Sequence, residues 1–66
     1  MNVFGERLKE LRQEKGIGQV ELAAKLNVSK GIISFWENGL REPTMSNLVA
    51  IADFFGVTLD YLVGRE

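Results

Sequence analysis

The chain has 66 residues, a formal net charge of −1, a sequence pI of about 5.4, and neither cysteine nor histidine. Those absences exclude disulfides, most transition-metal sites and the usual nucleophile–base pairs, leaving carboxylates as the only strong ligands. A chain this short buries only about 60% of the surface its unfolded form exposes, so one domain of marginal stability is expected over residues 1–66.

One proline, seven glycines and 45% hydrophobic residues describe a compact helical domain rather than a disordered tail. No apolar run approaches the roughly 20 residues of a membrane span, and no signal peptide opens the chain. A soluble, cytoplasmic protein with no membrane association is therefore expected. The acidic balance counts against nucleic-acid binding, which draws on a basic surface. The charge is uneven, however. Residues 1–15 hold four basic and three acidic groups, residues 16–43 three and three, and residues 44–66 one and three. The acidic excess sits at the C-terminal end.

The first helix is expected from a cap at Asn2 to about Lys15. Phe4, Leu8 and Leu11 form its apolar stripe, and Glu6, Arg7, Lys9, Glu10, Gln13 and Glu14 its wet face. Gly16 ends it and Ile17 turns inward. Gly18 and Gln19 open a second helix with Glu21 in its first turn, and Val20, Leu22, Ala23 and Leu26 as its buried side. Asn27 stops it, because Asn tolerates the left-handed conformation of a tight helix–helix turn. Val28 plugs the corner.

The third helix lies within SKGIISFWENG, residues 29–39. Ser29 is a good cap and Gly39 a good terminator. Ile33 and Trp36 are three apart and share a side. Lys30, Gly31, Ser34, Phe35 and Asn38 fall on the opposite side, with Ile32 at its edge. A helix that buries Ile and Trp while showing small, polar and aromatic groups has a surface to offer.

After the loop LREP, Thr44 caps a fourth helix from about Met45 to Phe55, with Met45, Leu48, Ile51, Ala52 and Phe55 on its apolar face. Gly56 ends it. Val57, Leu59 and Leu62 anchor a last short helix capped by Thr58 and closed by Gly64. No strand, repeat, linker or low-complexity segment is signalled. The fold expected is all-α, with five helices.

These residues resemble the phage-repressor and Cro-like helix-turn-helix regulators, the Xre family, over nearly the whole chain. The motifs are GERLKELRQEKG, GQVELAAKLNVSKGIISFWENG and REPTMSNLVAIADFFGVTLDYLVG. Ala23, Asn27, Ile33 and Trp36 match the family's packing positions. A small residue lets two helices approach, a left-handed turn redirects the chain, and two large apolar groups lock the crossing. The resemblance implies a lambda-repressor-like domain with its helix-turn-helix at 19–38, a bacterial or phage origin, and a recognition helix in the major groove of double-stranded DNA. It implies a phosphate contact for Gln19, aided by the helix N-terminus. It places Ser29 at the start of the reading helix, Lys30, Gly31, Ser34 and Phe35 over base edges, and Asn38 and Arg41 beside phosphates. Lys30 can reach guanine O6 or N7, or a phosphate. Phe35 can press on a thymine methyl. Gly31 can let backbones approach closely.

The chain also departs from the family. Gly31 and Phe35 stand where polar or charged residues are common, and Gly18 where Ser or Thr is usual, so hydrogen-bond readout is expected to be sparse.

Arg12 stands where the family places a partner for Glu37, and a structural Arg12–Glu37 ion pair between the first and third helices is expected. Phe54, Tyr61 and Val63 are candidates for a homodimer seam, since one helix in one groove covers about half of a near-palindromic site. Asp53 and Asp60 have neither a histidine nor an evident cleft, so no catalytic role is expected, and no cofactor, metal or small-molecule ligand is implied. The function expected is sequence-specific DNA binding by a dimeric transcriptional regulator, with repression favoured by the resemblance. The chain is then either a complete small regulator or a DNA-binding fragment. The alternative is a protein–protein module using the same fold through Ile32 and Phe35.

Overall fold

The hydrophobic spacing and the capping residues produce five helices in the computed structural model, which describes residues 3–66. They are α1 (Phe4–Glu14), α2 (Gln19–Leu26), α3 (Lys30–Glu37), α4 (Met45–Phe55) and α5 (Leu59–Val63). No strand occurs among the described residues. Three of the starts are made by the expected hydroxyls. Ser29 Oγ accepts from the Ile32 amide at 3.2 Å, Thr44 Oγ1 from Asn47 at 3.1 Å, and Thr58 Oγ1 from Tyr61 at 3.0 Å. The expected Asn2 cap lies outside the described residues. Helix α1 begins at Phe4, and Val3 in the capping position makes no side-chain cap bond.

The turn between α2 and α3 determines their crossing. Asn27 takes φ 59° and ψ 43°, the left-handed region. Its amide donates to the Ala24 carbonyl and the Val28 amide donates to Ala23 at 2.9 Å, which closes α2 in a Schellman-type end. The chain then reverses into α3 within the few residues between Leu26 and Lys30.

Each helix contributes to one core: Phe4 and Leu8 from α1, Leu22 and Ala23 from α2, Ile33 and Trp36 from α3, Ile51 and Ala52 from α4, and Leu62 from α5. Helix α3 packs against both α1 and α2. The Phe4 and Trp36 rings meet edge to face, with centroids 6.2 Å apart. Beside them, the backbones of α1 and the end of α3 touch. A Cβ on Gly5 would stand 2.4 Å from the Trp36 carbonyl oxygen and 2.8 Å from that of Glu37, so only glycine fits there.

Several apolar residues expected inside lie outside. Val20 is 68% exposed and Met45 72% exposed. At 3.6 residues per turn, Val20 points more than roughly 100° away from the Leu22–Ala23–Leu26 face. Met45 is the first residue of α4, and its side chain leans back past the end of the core. Leu59, first in α5, is exposed for the same reason. Arg7, expected to be solvated, is half-buried. It donates to the Tyr61 carbonyl, and its guanidinium lies 4.3 Å above the Tyr61 ring, tying α1 to α5.

Candidate nucleic-acid interface

Burial of Ile33 and Trp36 on one side of α3 determines what the other side shows. Ser29, Lys30, Gly31, Phe35 and Asn38 are exposed and Ser34 is half-buried; Arg41, in the loop beyond, is also exposed. The structure thus brings seven of the expected contact residues together along one helix and its exit. The eighth, Gln19, is half-buried at the start of α2.

Ser34 and Asn38 are tied to each other. The Asn38 amide nitrogen donates to the Ser34 carbonyl at 2.9 Å and to its hydroxyl oxygen at 3.3 Å, leaving the Ser34 O–H to donate outward. A Cβ on Gly31 would meet only Ser29 Oγ, at 3.8 Å, so nothing inside the molecule requires glycine at this position. Lys30 makes no ion pair among the described residues. Phe35 remains 39% exposed, and the Arg41 guanidinium stands 5.5 Å from its ring centroid.

Glu37 belongs to α3 but faces inward. Its side chain is only 3% exposed and its carboxylate is held from two other helices. Arg12 of α1 donates through Nε to Oε2 at 2.7 Å and through Nη2 to Oε1 at 3.1 Å. Gln19 of α2 donates its amide to Oε1 at 3.0 Å. Arg12 Nη1 also donates to the Ile17 carbonyl at 3.0 Å, which pins the turn between α1 and α2. The hydrogen bond and charge of Glu37 raise the Arg12 pKa above its already high ordinary value, against the opposing effect of burial, so this guanidinium stays charged. The network removes the negative charge of Glu37 from the outer face, where Lys30 and Arg41 are left as the cations.

Sequence reasoning missed two parts of this arrangement. One is the Gln19–Glu37 bond, which commits the side chain expected at a phosphate. The free groups at that place are the first amides of α2, because Gly18 supplies no capping side chain. The other is Gly5. A lone glycine inside the apolar pattern of α1 was its only signal.

The three candidates for a seam between copies divide. Phe54 and Tyr61 are half-buried and pack against the core, Phe54 edge to face with Phe55 at 4.9 Å, whereas Val63 is exposed. Ile32 is likewise half-buried against the core. No cluster of three metal-ligating side chains occurs among the described residues, and none of their helices is long and apolar enough to cross a membrane.

Residues 8–62 match the family model described as "Helix-turn-helix". The transcriptional activator BcrR of Enterococcus faecalis is 44% identical over 63 residues, covering 96% of this chain and 31% of that protein. The transcriptional regulator ImmR of Bacillus subtilis is 39% identical over 63 residues, covering 96% of this chain and 50% of that protein. The chain therefore spans half or less of the length of these two relatives. Among solved structures, the P22 c2 repressor crystallised with a synthetic operator superposes with a TM-score of 0.89 at 33% identity, covering 96% of each chain. The five helices are thus those of a lambda-repressor-like domain. By the extent of the family match and by the likeness to the P22 repressor along nearly all of both chains, this chain belongs to the helix-turn-helix family.

Proposed function

We propose that this chain binds double-stranded DNA in a sequence-specific manner as a transcriptional regulator, with α3 in the major groove. One observation carries the reading: Ile33 and Trp36 anchor α3 so that Lys30, Gly31 and Phe35 stand exposed on its far side, with Arg41 at its exit. An α-helix fits the major groove, and this one presents a cation, a gap without a side chain, a hydroxyl and a ring in succession. In this reading Lys30 contacts guanine or phosphate, Gly31 allows close approach, and Ser34 and Phe35 face bases. Ser29 and Asn38 support the two ends of the helix, and the uncapped first turn of α2 at Gln19 receives a phosphate. The P22 c2 repressor, which has the same fold, was crystallised in complex with an operator, and this supports DNA binding by the present chain.

We take repression, by steric competition with polymerase, as the mode of action, because the P22 repressor aligns with nearly the whole chain; BcrR, named an activator, marks the alternative. Two copies on a near-palindromic operator double the base contacts, with half-sites about one helical turn apart. Of the seam candidates, Val63 is the exposed one, while Phe54 and Tyr61 serve the fold. Such a regulator works beside the DNA, in the cytoplasm of a bacterial cell, and needs no catalytic group.

The rival reading, a protein-binding face built on Ile32 and Phe35, is less favoured because Ile32 is half-buried against the core. Selection of bound sequences from random duplex DNA tests the proposal. Enrichment of a site with two inverted halves supports it, and recovery of an unenriched pool would oppose it.

A further inference from the structure

The outer face of α3 ends in a cation–π pair. Arg41 belongs to the loop after the helix, yet its guanidinium carbon lies 5.5 Å from the centroid of the Phe35 ring. That is within the ~6 Å reach of a cation–π contact. Both side chains are exposed. Among the described residues no carboxylate pairs with Arg41, so its fork of N–H donors is free. The nearest polar groups of the helix are partly committed, since the Asn38 amide nitrogen donates to Ser34. The C-terminal half of the outer face therefore offers one apolar ring with a planar cation beside it, next to the Ser34 hydroxyl and Asn38.

Base edges present a match for that pair. The 5-methyl group of thymine accepts apolar contact, and guanine O6 and N7 accept two parallel bonds from a guanidinium. Successive bases on one strand are ~3.4 Å apart, so two neighbouring bases lie within reach of two side chains that touch one another. A base contact lets Arg41 keep its place beside the Phe35 ring. We propose that Phe35 and Arg41 act as one reading unit for a thymine followed by guanine, with Phe35 on the thymine methyl and Arg41 on guanine O6 and N7. This inference rests on α3 occupying the major groove, and it moves Arg41 from the phosphate position that the family resemblance implies to a base.

The test uses the full chain and the duplex enriched by selection. Fluorescence anisotropy compares that duplex with two analogues, one carrying deoxyuridine for the thymine and one carrying 7-deazaguanine for the guanine. Loss of the methyl should weaken the unaltered protein by about fourfold. Loss of N7 should weaken it by about fivefold or more. Arg41→Ala should become indifferent to 7-deazaguanine and keep the deoxyuridine penalty. Phe35→Ala should lose the deoxyuridine penalty and much of the 7-deazaguanine penalty, because the ring no longer holds the guanidinium. Arg41→Lys keeps the charge, so it should retain the salt dependence but lose the 7-deazaguanine penalty. Unchanged far-ultraviolet circular dichroism checks that each variant is folded. Enriched sites without a TG step, or Arg41→Lys matching the unaltered protein on every duplex, would overturn the proposal. Duplex binding insensitive to both analogues would sink this inference alone, whereas absence of any salt-dependent duplex binding would sink the major-groove reading beneath it.

Discussion

The Glu37 carboxylate rides on α3 and is gripped by Arg12 of α1, through Nε at 2.7 Å and Nη2 at 3.1 Å. The pair is nearly dry, with 12% of the Arg12 side chain and 3% of the Glu37 side chain exposed. Removing one partner strands a buried charge, which costs about 3–5 kcal/mol. Replacing both by apolar groups of similar size leaves no charge to strand. Arg12→Met alone should therefore lower the unfolding free energy by about that amount, and adding Glu37→Leu should restore part of it, since the Gln19 bond is lost with the carboxylate. Urea unfolding of the two single variants and the double variant measures the coupling.

The same carboxylate makes Gln19 a structural residue as well as a candidate at the DNA. Its amide bond to Glu37 is a hydrogen bond to a charged group, worth about 1.5–3 kcal/mol. Gln19→Ala should lose stability in that range without DNA present. Gln19→Glu should lose more, since a second carboxylate would face the first. Thermal unfolding in the absence of DNA separates this role from any phosphate contact, which would leave the free protein unaffected.

Two glycines should respond in opposite ways. Gly5→Ala places a methyl against the carbonyls of Trp36 and Glu37, and overpacking of this kind costs about 1–3 kcal/mol. Gly31→Ala meets only Ser29 Oγ, at an ordinary contact distance, in the first turn of α3, and should stabilise the free protein by up to about 1 kcal/mol. If Gly31 serves close approach to DNA, that more stable variant should bind its selected duplex less tightly. Calorimetry and anisotropy on the same two variants give both readouts.

These residues also mark how far the chain could be read before its structure. The caps and turns were legible because they are local: Ser29, Asn27, Thr44 and Thr58 act within four residues of themselves. The inward pair Ile33 and Trp36 followed from helical spacing, and with it the outward set. Val20, Met45 and Leu59 were misplaced because hydrophobicity does not state direction, least of all at a helix's first turn. Gly5 and the Gln19 amide act across helices, on α3, and spacing along the chain carries little trace of such contacts.

The Ser29 cap tests the reading helix itself. Ser29→Ala leaves the Ile32 amide without its acceptor and should cost about 1 kcal/mol. Ser29→Asp should keep the cap and the stability, while bringing a negative charge beside Lys30 that weakens DNA binding. Unfolding and duplex titrations on the pair distinguish support of the helix from contact with its ligand.

The most direct test of α3 as a major-groove reader is the salt dependence of duplex binding, measured for the unaltered protein and for Lys30→Glu. On the selected duplex, log K should fall linearly with log salt concentration, by about 0.9 for each phosphate neutralised. Lys30→Glu should remain folded and lose binding by an order of magnitude or more. Affinity that holds steady as salt rises, or a Lys30→Glu protein that binds as well as the original, would contradict the account.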